Sequence, residues 1–235
     1  MAFRMEAAIG VLIAAASLAA AQDYTFEARR RHGRKGSEGS LTFDATAVRW
    51  KEAGKKRDHS GEWRYQDIQR LTLSPERIEI ITYDDNPRLL GRDQRYEFDH
   101  LPEGMAVKLY PWLRERLDQR FLAHLADPNI RPQLEIAAKL LHVMRGSNGK
   151  LLIADDEIVF DGSPDGESRT WRISDISFIS QDSPLELTLT TVEGESRFQL
   201  KQALPEARYQ ALWRRVAVAR GLDLYNSRME HSHHE

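Results

Sequence analysis

The chain has 235 residues, which is enough for one large domain or two small ones. Hydrophobic residues make up 41% of it and charged residues 30%, a balance typical of a folded, soluble chain rather than a disordered one. The formal net charge of −2 excludes the strong one-signed field of a dedicated nucleic-acid binder, so no nucleic-acid partner is expected. The absence of cysteine excludes disulfides, thiolate nucleophiles and cysteine metal sites.

Residues 1–21 predict an export signal. Arg4 precedes an almost uninterrupted run of small and apolar residues at 9–20, and Ala19 and Ala21 fit the small positions that a signal peptidase reads. Cleavage is expected after Ala21. The run is roughly 20 Å long as a helix, too short to cross a hydrocarbon layer of about 30 Å. We therefore expect a secreted or periplasmic mature chain with no transmembrane helix, the alternative being an N-terminal helix that is kept in the core.

The sequence contains one unit twice. The pattern H-x-x-[KR]-G-S-x-G-x-L begins at His32 and again at His142, 110 residues later. The later matches pair Trp63 with Trp171, Ile78 with Leu187, Tyr96 with Phe198 and Phe98 with Leu200. The repeat predicts domains at residues 22–126 and 133–222, joined by a proline-flanked polar stretch at 127–132 and followed by a polar, histidine-containing tail at 223–235.

Each unit is predicted to contain about seven short antiparallel strands. Leu185, Leu187 and Leu189 alternate with polar residues, which is the period-two pattern of a strand with one exposed face. Ile78 and Ile80 show the same pattern in the first unit.

One helix is predicted to end each unit. In the first, apolar residues recur every four positions from Leu109 to Leu125, with Pro111 expected to start or kink the helix. In the second, Pro205 fits a helix start and Gly221 fits a helix end. The predicted fold class is therefore mainly β with α.

In each unit the strands come first and the helix last, and the pattern W-x-x-x-D-I begins at Trp63 and again at Trp171. This order and pattern resemble the pleckstrin-homology-like barrel, in particular the bacterial PH and GRAM type. The resemblance covers nearly all of residues 24–222. It implies two tandem PH-like barrels, each capped by its C-terminal helix, that act as a non-catalytic binding or scaffold module. Because such barrels often take peptides along an exposed strand edge, the expected partner is another envelope or secreted protein.

Basic residues in two loops of the first unit suggest a different ligand. In intracellular PH domains these loops hold phosphoinositide head groups, so the resemblance implies an anion-binding mouth for an anionic lipid or a polyanion. The equivalent second-unit loop, residues 161–168, is acidic. The alternative is a solvated basic edge that discourages strand pairing. The residues of the proposed mouth are Arg31, Arg34, Lys35, Lys51, Lys55, Lys56 and Arg57.

No metal or cofactor is predicted. Asp161, Ser163 and Asp165 match the first ligand positions of a calcium loop, but the twelfth position needs a bidentate Glu and holds Arg172. A polar hairpin turn is the better interpretation. The sequence around the tail histidines His231, His233 and His234 suggests no further residues that would orient them as zinc ligands.

Structural roles are expected for the side chains that recur in both units. His32 and His142 should hydrogen-bond the turn that follows them, and Trp63 and Trp171 should anchor the two cores. The run Asp58-His59-Ser60 contains the residue types of a catalytic triad, but a triad is defined by geometry and not by adjacency. We expect no enzyme, and the rival hypothesis is an active site in the groove between the barrels.

Overall fold

The computed structural model describes residues 23–32, 36–54, 60–87, 89–142, 146–162 and 167–221. The predicted export signal and the histidine-containing tail both lie outside these ranges. Within them, neither helix is long and apolar enough to cross a bilayer.

Strands make up most of the described chain, and one helix closes each half. The first half runs through β1 (Tyr24–Arg31), β2 (Ser37–Phe43), β3 (Ala47–Glu52), β4 (Gly61–Arg64), β5 (Ile68–Ser74), β6 (Arg77–Asp85), β7 (Asp93–Asp99) and α1 (Met105–Arg116). A short strand, β8 (Phe121–Ala123), follows. The second half has β9 (Leu134–Leu141), β10 (Ser147–Ile153), β11 (Glu157–Gly162), β12 (Arg169–Arg172), β13 (Phe178–Ser180), β14 (Glu186–Thr191), β15 (Gly194–Leu200) and α2 (Glu206–Ala219).

The two halves have the same strand order. It is β5-β6-β7-β1-β2-β3-β4 in the first half and β13-β14-β15-β9-β10-β11-β12 in the second. β8 lies between them, parallel to β5 and antiparallel to β12, and joins all strands into one 15-stranded sheet. The class is thus β-rich with two helices, but a single mixed sheet replaces the two separate antiparallel sheets that the sequence predicts.

Each half nevertheless keeps a hydrophobic core of its own. In the first core, the Trp63 and Phe98 ring centroids lie 5.7 Å apart, edge to face. In the second core, Trp171 and Phe198 form the same arrangement at 5.8 Å. Both tryptophans are buried, so the period-two pattern of the strands places equivalent aromatic rings at equivalent depths.

The sheet register corrects the sequence alignment at β7 and β15. Phe98 lies opposite Ile78, and Phe198 lies opposite Leu187, the counterpart of Ile78. The partner of Phe98 is therefore Phe198, and the predicted match with Leu200 is wrong by two residues. A slip of two keeps every side chain on the same face of a strand, so hydrophobic alternation alone cannot detect it.

The first helix is shorter than its apolar spacing predicts. α1 ends at Arg116 because Leu117 is extended, and the Asp118 carboxylate then accepts the Arg120 amide at 3.0 Å in a tight turn. Phe121 belongs to β8 instead of to a continued helix. Pro111 lies well inside α1, so of its two predicted roles the helix start is wrong and the kink stays a prediction.

Phe98 and Phe198 should contribute equally to stability, because they occupy equivalent positions in the two cores. We expect Phe98→Ala and Phe198→Ala each to lower the free energy of unfolding by about 3 to 5 kcal/mol, since each leaves a cavity beside a buried tryptophan. Urea denaturation measures both. Phe178→Ala is the control, because Phe178 is 56% exposed. A variant at Phe98 or Phe198 as stable as this control would contradict the equivalence.

Candidate functional site

The predicted anion-binding mouth is only partly described. Arg31 and Lys51 lie near the same end of the sheet, because Arg30 pairs with Ser37 across β1 and β2, and Gly39 pairs with Glu52 across β2 and β3. The other five basic residues of the proposed mouth lie outside the described ranges: Arg34, Lys35, Lys55, Lys56 and Arg57.

Acidic residues of β7 neutralise the basic residues of β1. Arg29 donates two hydrogen bonds to the Asp99 carboxylate, both at 2.9 Å, and these bonds hold the pKa of Asp99 below its usual value. Arg31 lies 3.4 Å from a carboxylate oxygen of Glu97 and 3.7 Å from one of Asp99. Arg29 and Arg31 are therefore already matched by carboxylates, whereas the Arg30 guanidinium lies 5.0 Å from the centre of the Tyr96 ring.

The two repeated histidines have different partners. His32 hydrogen-bonds the Ser37 hydroxyl, five residues further along the chain. His142 instead lies 3.2 Å from a carboxylate oxygen of Glu167, which also accepts from Arg169 at 2.8 Å. The sequence did not indicate this carboxylate, since Glu167 is distant from His142 along the chain.

The calcium-loop pattern is also only partly described. Asp161 and Glu167 are included, while residues 163–166 lie outside the described ranges. Over the part of the chain that the structure describes, no group of three or more His, Asp or Glu side chains is arranged to hold a metal ion.

Arg172 connects the two halves. Its guanidinium donates to the carbonyl oxygens of Arg114 at 2.8 Å and Leu117 at 2.7 Å. These carbonyls lie at the C-terminal end of α1, where helix carbonyls lack intrahelical partners and carry partial negative charge. Asp175 accepts from the same guanidinium at 2.5 Å. The sequence predicts for Arg172 only that it opposes calcium, because its contacts with α1 arise from tertiary structure.

A buried carboxylate reinforces this junction. Glu157 of β11 accepts hydrogen bonds from the Tyr110 hydroxyl and from Arg114, each at 2.9 Å. Burial raises the pKa of Glu157 and also raises that of Tyr110. Both donors come from α1, so the helix of the first half is fixed against the second half.

The groove between the halves does not bring free carboxylates together. Its volume is about 480 Å³, and Asp155 and Asp156 lie in its wall. Asp156 is ion-paired with Arg114, and Asp155 lies 3.4 Å from Arg215. Each of these two carboxylates is thus matched by an arginine.

The outer edges of β5 and β13 differ, although these strands are equivalent. The Leu71 amide of β5 donates to the Arg120 carbonyl at 2.9 Å, and the Leu73 carbonyl accepts from the His124 amide at 2.8 Å. β8 therefore covers the edge of β5. β13 stands at the end of the sheet, with no strand of the described chain beyond it.

Side chains from α2 and its C-terminal end contact the edge of β13. Ile179 is the counterpart of Leu71, since each lies opposite equivalent residues, Leu189 and Ile80. The Ile179 carbonyl lies 3.4 Å from the Tyr209 hydroxyl, and the Ser177 carbonyl accepts from Arg220. The spacing of residues predicts a helix over the segment that forms β8, so it cannot indicate this difference between the two edges.

Comparison with known proteins does not assign the chain to a family. No family model matches the chain, and no curated protein matches it. Among solved structures, a chain from the Spt16D–Pob3N heterodimer matches with 11% sequence identity and a TM-score of 0.30. That match covers 76% of this chain and 97% of the other.

We expect Arg172 to stabilise the junction between the halves. Arg172→Ala should lower the free energy of unfolding by about 3 kcal/mol, because it removes several charge-assisted hydrogen bonds and leaves Asp175 without its partner. Arg172→Lys should recover little, since an ammonium cannot reproduce the planar fork of donors. Chemical denaturation measures both effects. Arg208→Ala, at an exposed position on α2, should change stability by less than about 0.5 kcal/mol. Equal stability of the Arg172 and Arg208 variants would contradict this account of the junction.

Proposed function

We propose that the chain is a non-catalytic, exported binding module of two PH-like barrels, and that β13 adds an extended segment of a partner protein as a further strand. Seven strands followed by a helix, in the same order in both halves, support the PH-like assignment. Export is proposed from the sequence of residues 1–21 alone.

The observation that carries the proposal is the pairing of β8 with β5. Phe121, Leu122 and Ala123 lie opposite Leu71, Thr72 and Leu73 in parallel register. The chain thus contains an example of an apolar extended segment bound to this type of edge. β13 is the counterpart of β5, but Ile179 is 1% exposed and the Tyr209 side chain of α2 lies against its carbonyl. A segment from another protein would therefore pair with β13 by displacing this side chain.

The chemistry of β13 favours strand addition. Natural edge strands are usually protected by charged side chains or proline, which discourage pairing with other chains. β13 has the sequence Phe-Ile-Ser, and Phe178 is 56% exposed. The strand at the other end of the sheet, β4, has charged side chains at Glu62 and Arg64. Of the two end strands, only β4 therefore carries charged residues of its own.

The anionic-lipid or polyanion alternative has weaker support. Arg31, one of its two described residues, is already matched by Glu97 and Asp99. Transferring it to an external anion would require breaking these pairs.

A peptide with the sequence of β8 tests the proposal. A fluorescein-labelled peptide of residues 118–125 should bind the full chain saturably, whereas a scrambled peptide should not. Phe178→Lys should weaken binding at least about fivefold, because a charge on an edge strand opposes pairing. Fluorescence anisotropy measures the affinity.

Leu185→Lys is the matched control, since Leu185 is 50% exposed but lies in the turn before β14. It should leave the affinity unchanged. Binding carried by backbone hydrogen bonds should also vary little with salt. No saturable binding, or equal weakening by both lysine variants, would rule out addition at β13. A steep loss of affinity with salt would favour the anionic-ligand alternative.

A further inference from the structure

A groove of about 610 Å³ is lined mainly by residues of the first half. Its floor includes a row of three cross-strand neighbours, because Arg70 of β5 pairs with Ile81 of β6, and Ile81 pairs with Arg95 of β7. An apolar side chain thus lies between two guanidinium groups. The volume is within the range of roughly 300 to 1,000 Å³ that is typical of small-molecule sites.

The arginines of the floor are held in place from one side. Glu79, whose side chain is 12% exposed, lies 3.7 Å from Arg70 and is also ion-paired with Arg95. Arg95 also lies 2.7 Å from a carboxylate oxygen of Glu97. A guanidinium has five N–H donors, and these two carboxylates cannot use all the donors of two arginines. Arg70 and Arg95 therefore keep donors for a ligand while their positions are fixed.

Two further arginines line the groove. Arg120 donates to the Asp118 carboxylate at 2.8 Å and to the Ile68 carbonyl at 3.2 Å, so it is also held in place. Arg92 comes from the connection between β6 and β7, and none of the described residues pairs with its side chain. Four arginines and one acidic residue, Asp93, line the groove, and of these arginines Arg92 has no carboxylate partner among the described residues. This lining favours an anionic group.

The remaining wall is apolar and includes a residue of the second half. Leu89 is 51% exposed, and Val192, from the turn between β14 and β15, is 57% exposed. With Ile81 they provide an apolar surface beside the arginines. Large apolar side chains exposed next to a charged pocket are typical of a binding site.

We propose that this groove binds a small amphiphilic anion, with its carboxylate or phosphate head at Arg92 and the arginines of the floor and its apolar tail against Leu89 and Val192. The site does not depend on strand addition at β13. It also differs from the predicted mouth, since it uses none of the loop residues of that mouth.

Isothermal titration of the full chain with octanoate tests the site. Octanoate should bind saturably, acetate at least about tenfold more weakly, and neutral octyl glucoside not at all, because the site needs both an anionic head and an apolar tail. Arg92→Ala should weaken octanoate binding at least about tenfold, as expected for the loss of a charge-assisted hydrogen bond. Octyl phosphate should compete with octanoate, which tests the head group.

Arg208→Ala removes an exposed arginine elsewhere and should leave the affinity unchanged. Val192→Asp gives a second test at an exposed position and should also weaken binding. The proposal is overturned if wild type shows no saturable binding of octanoate, if octyl glucoside binds equally well, or if the Arg92 and Arg208 variants bind alike.

Discussion

Backbone amide and carbonyl groups at the edge of a sheet need hydrogen-bond partners, and this requirement explains most of the architecture. β8 meets it for β5, with the Leu71 amide bonded to the Arg120 carbonyl. The same short strand also lies beside β12 of the second half, through Ala123 and Thr170. Covering one edge therefore joins two similar units into a single sheet.

The junction is stabilised by charge as well as by strand pairing. Arg172 satisfies carbonyls at the end of α1, and Glu157 accepts from two side chains of the same helix. These groups are costly to bury alone, so each stabilises the junction only when its partner is in place. The first helix consequently serves both the core of its own half and the contact between halves.

The sequence predicts the strands well and the junction poorly, for physical reasons. β4 has the predicted limits, since Trp63 is buried between polar neighbours in a short period-two run. Phe121 fits a helical spacing and a strand equally well, because either conformation buries it. The contacts of Arg172 and the partner of His142 depend on residues far away in the chain, which no local pattern encodes. The five-residue part of the basic mouth that lies outside the described ranges stays a prediction.

The most direct test compares equivalent backbone groups in the two halves by amide hydrogen exchange. Leu71 donates to β8, whereas its counterpart Ile179 lies at the edge that no described strand covers. An amide in a paired strand exchanges only when that structure opens, while an edge amide exchanges more readily. We expect the Ile179 amide to exchange on the order of 100-fold faster than the Leu71 amide. Equal protection of the two amides would contradict it, since the edge of β13 would then already be covered.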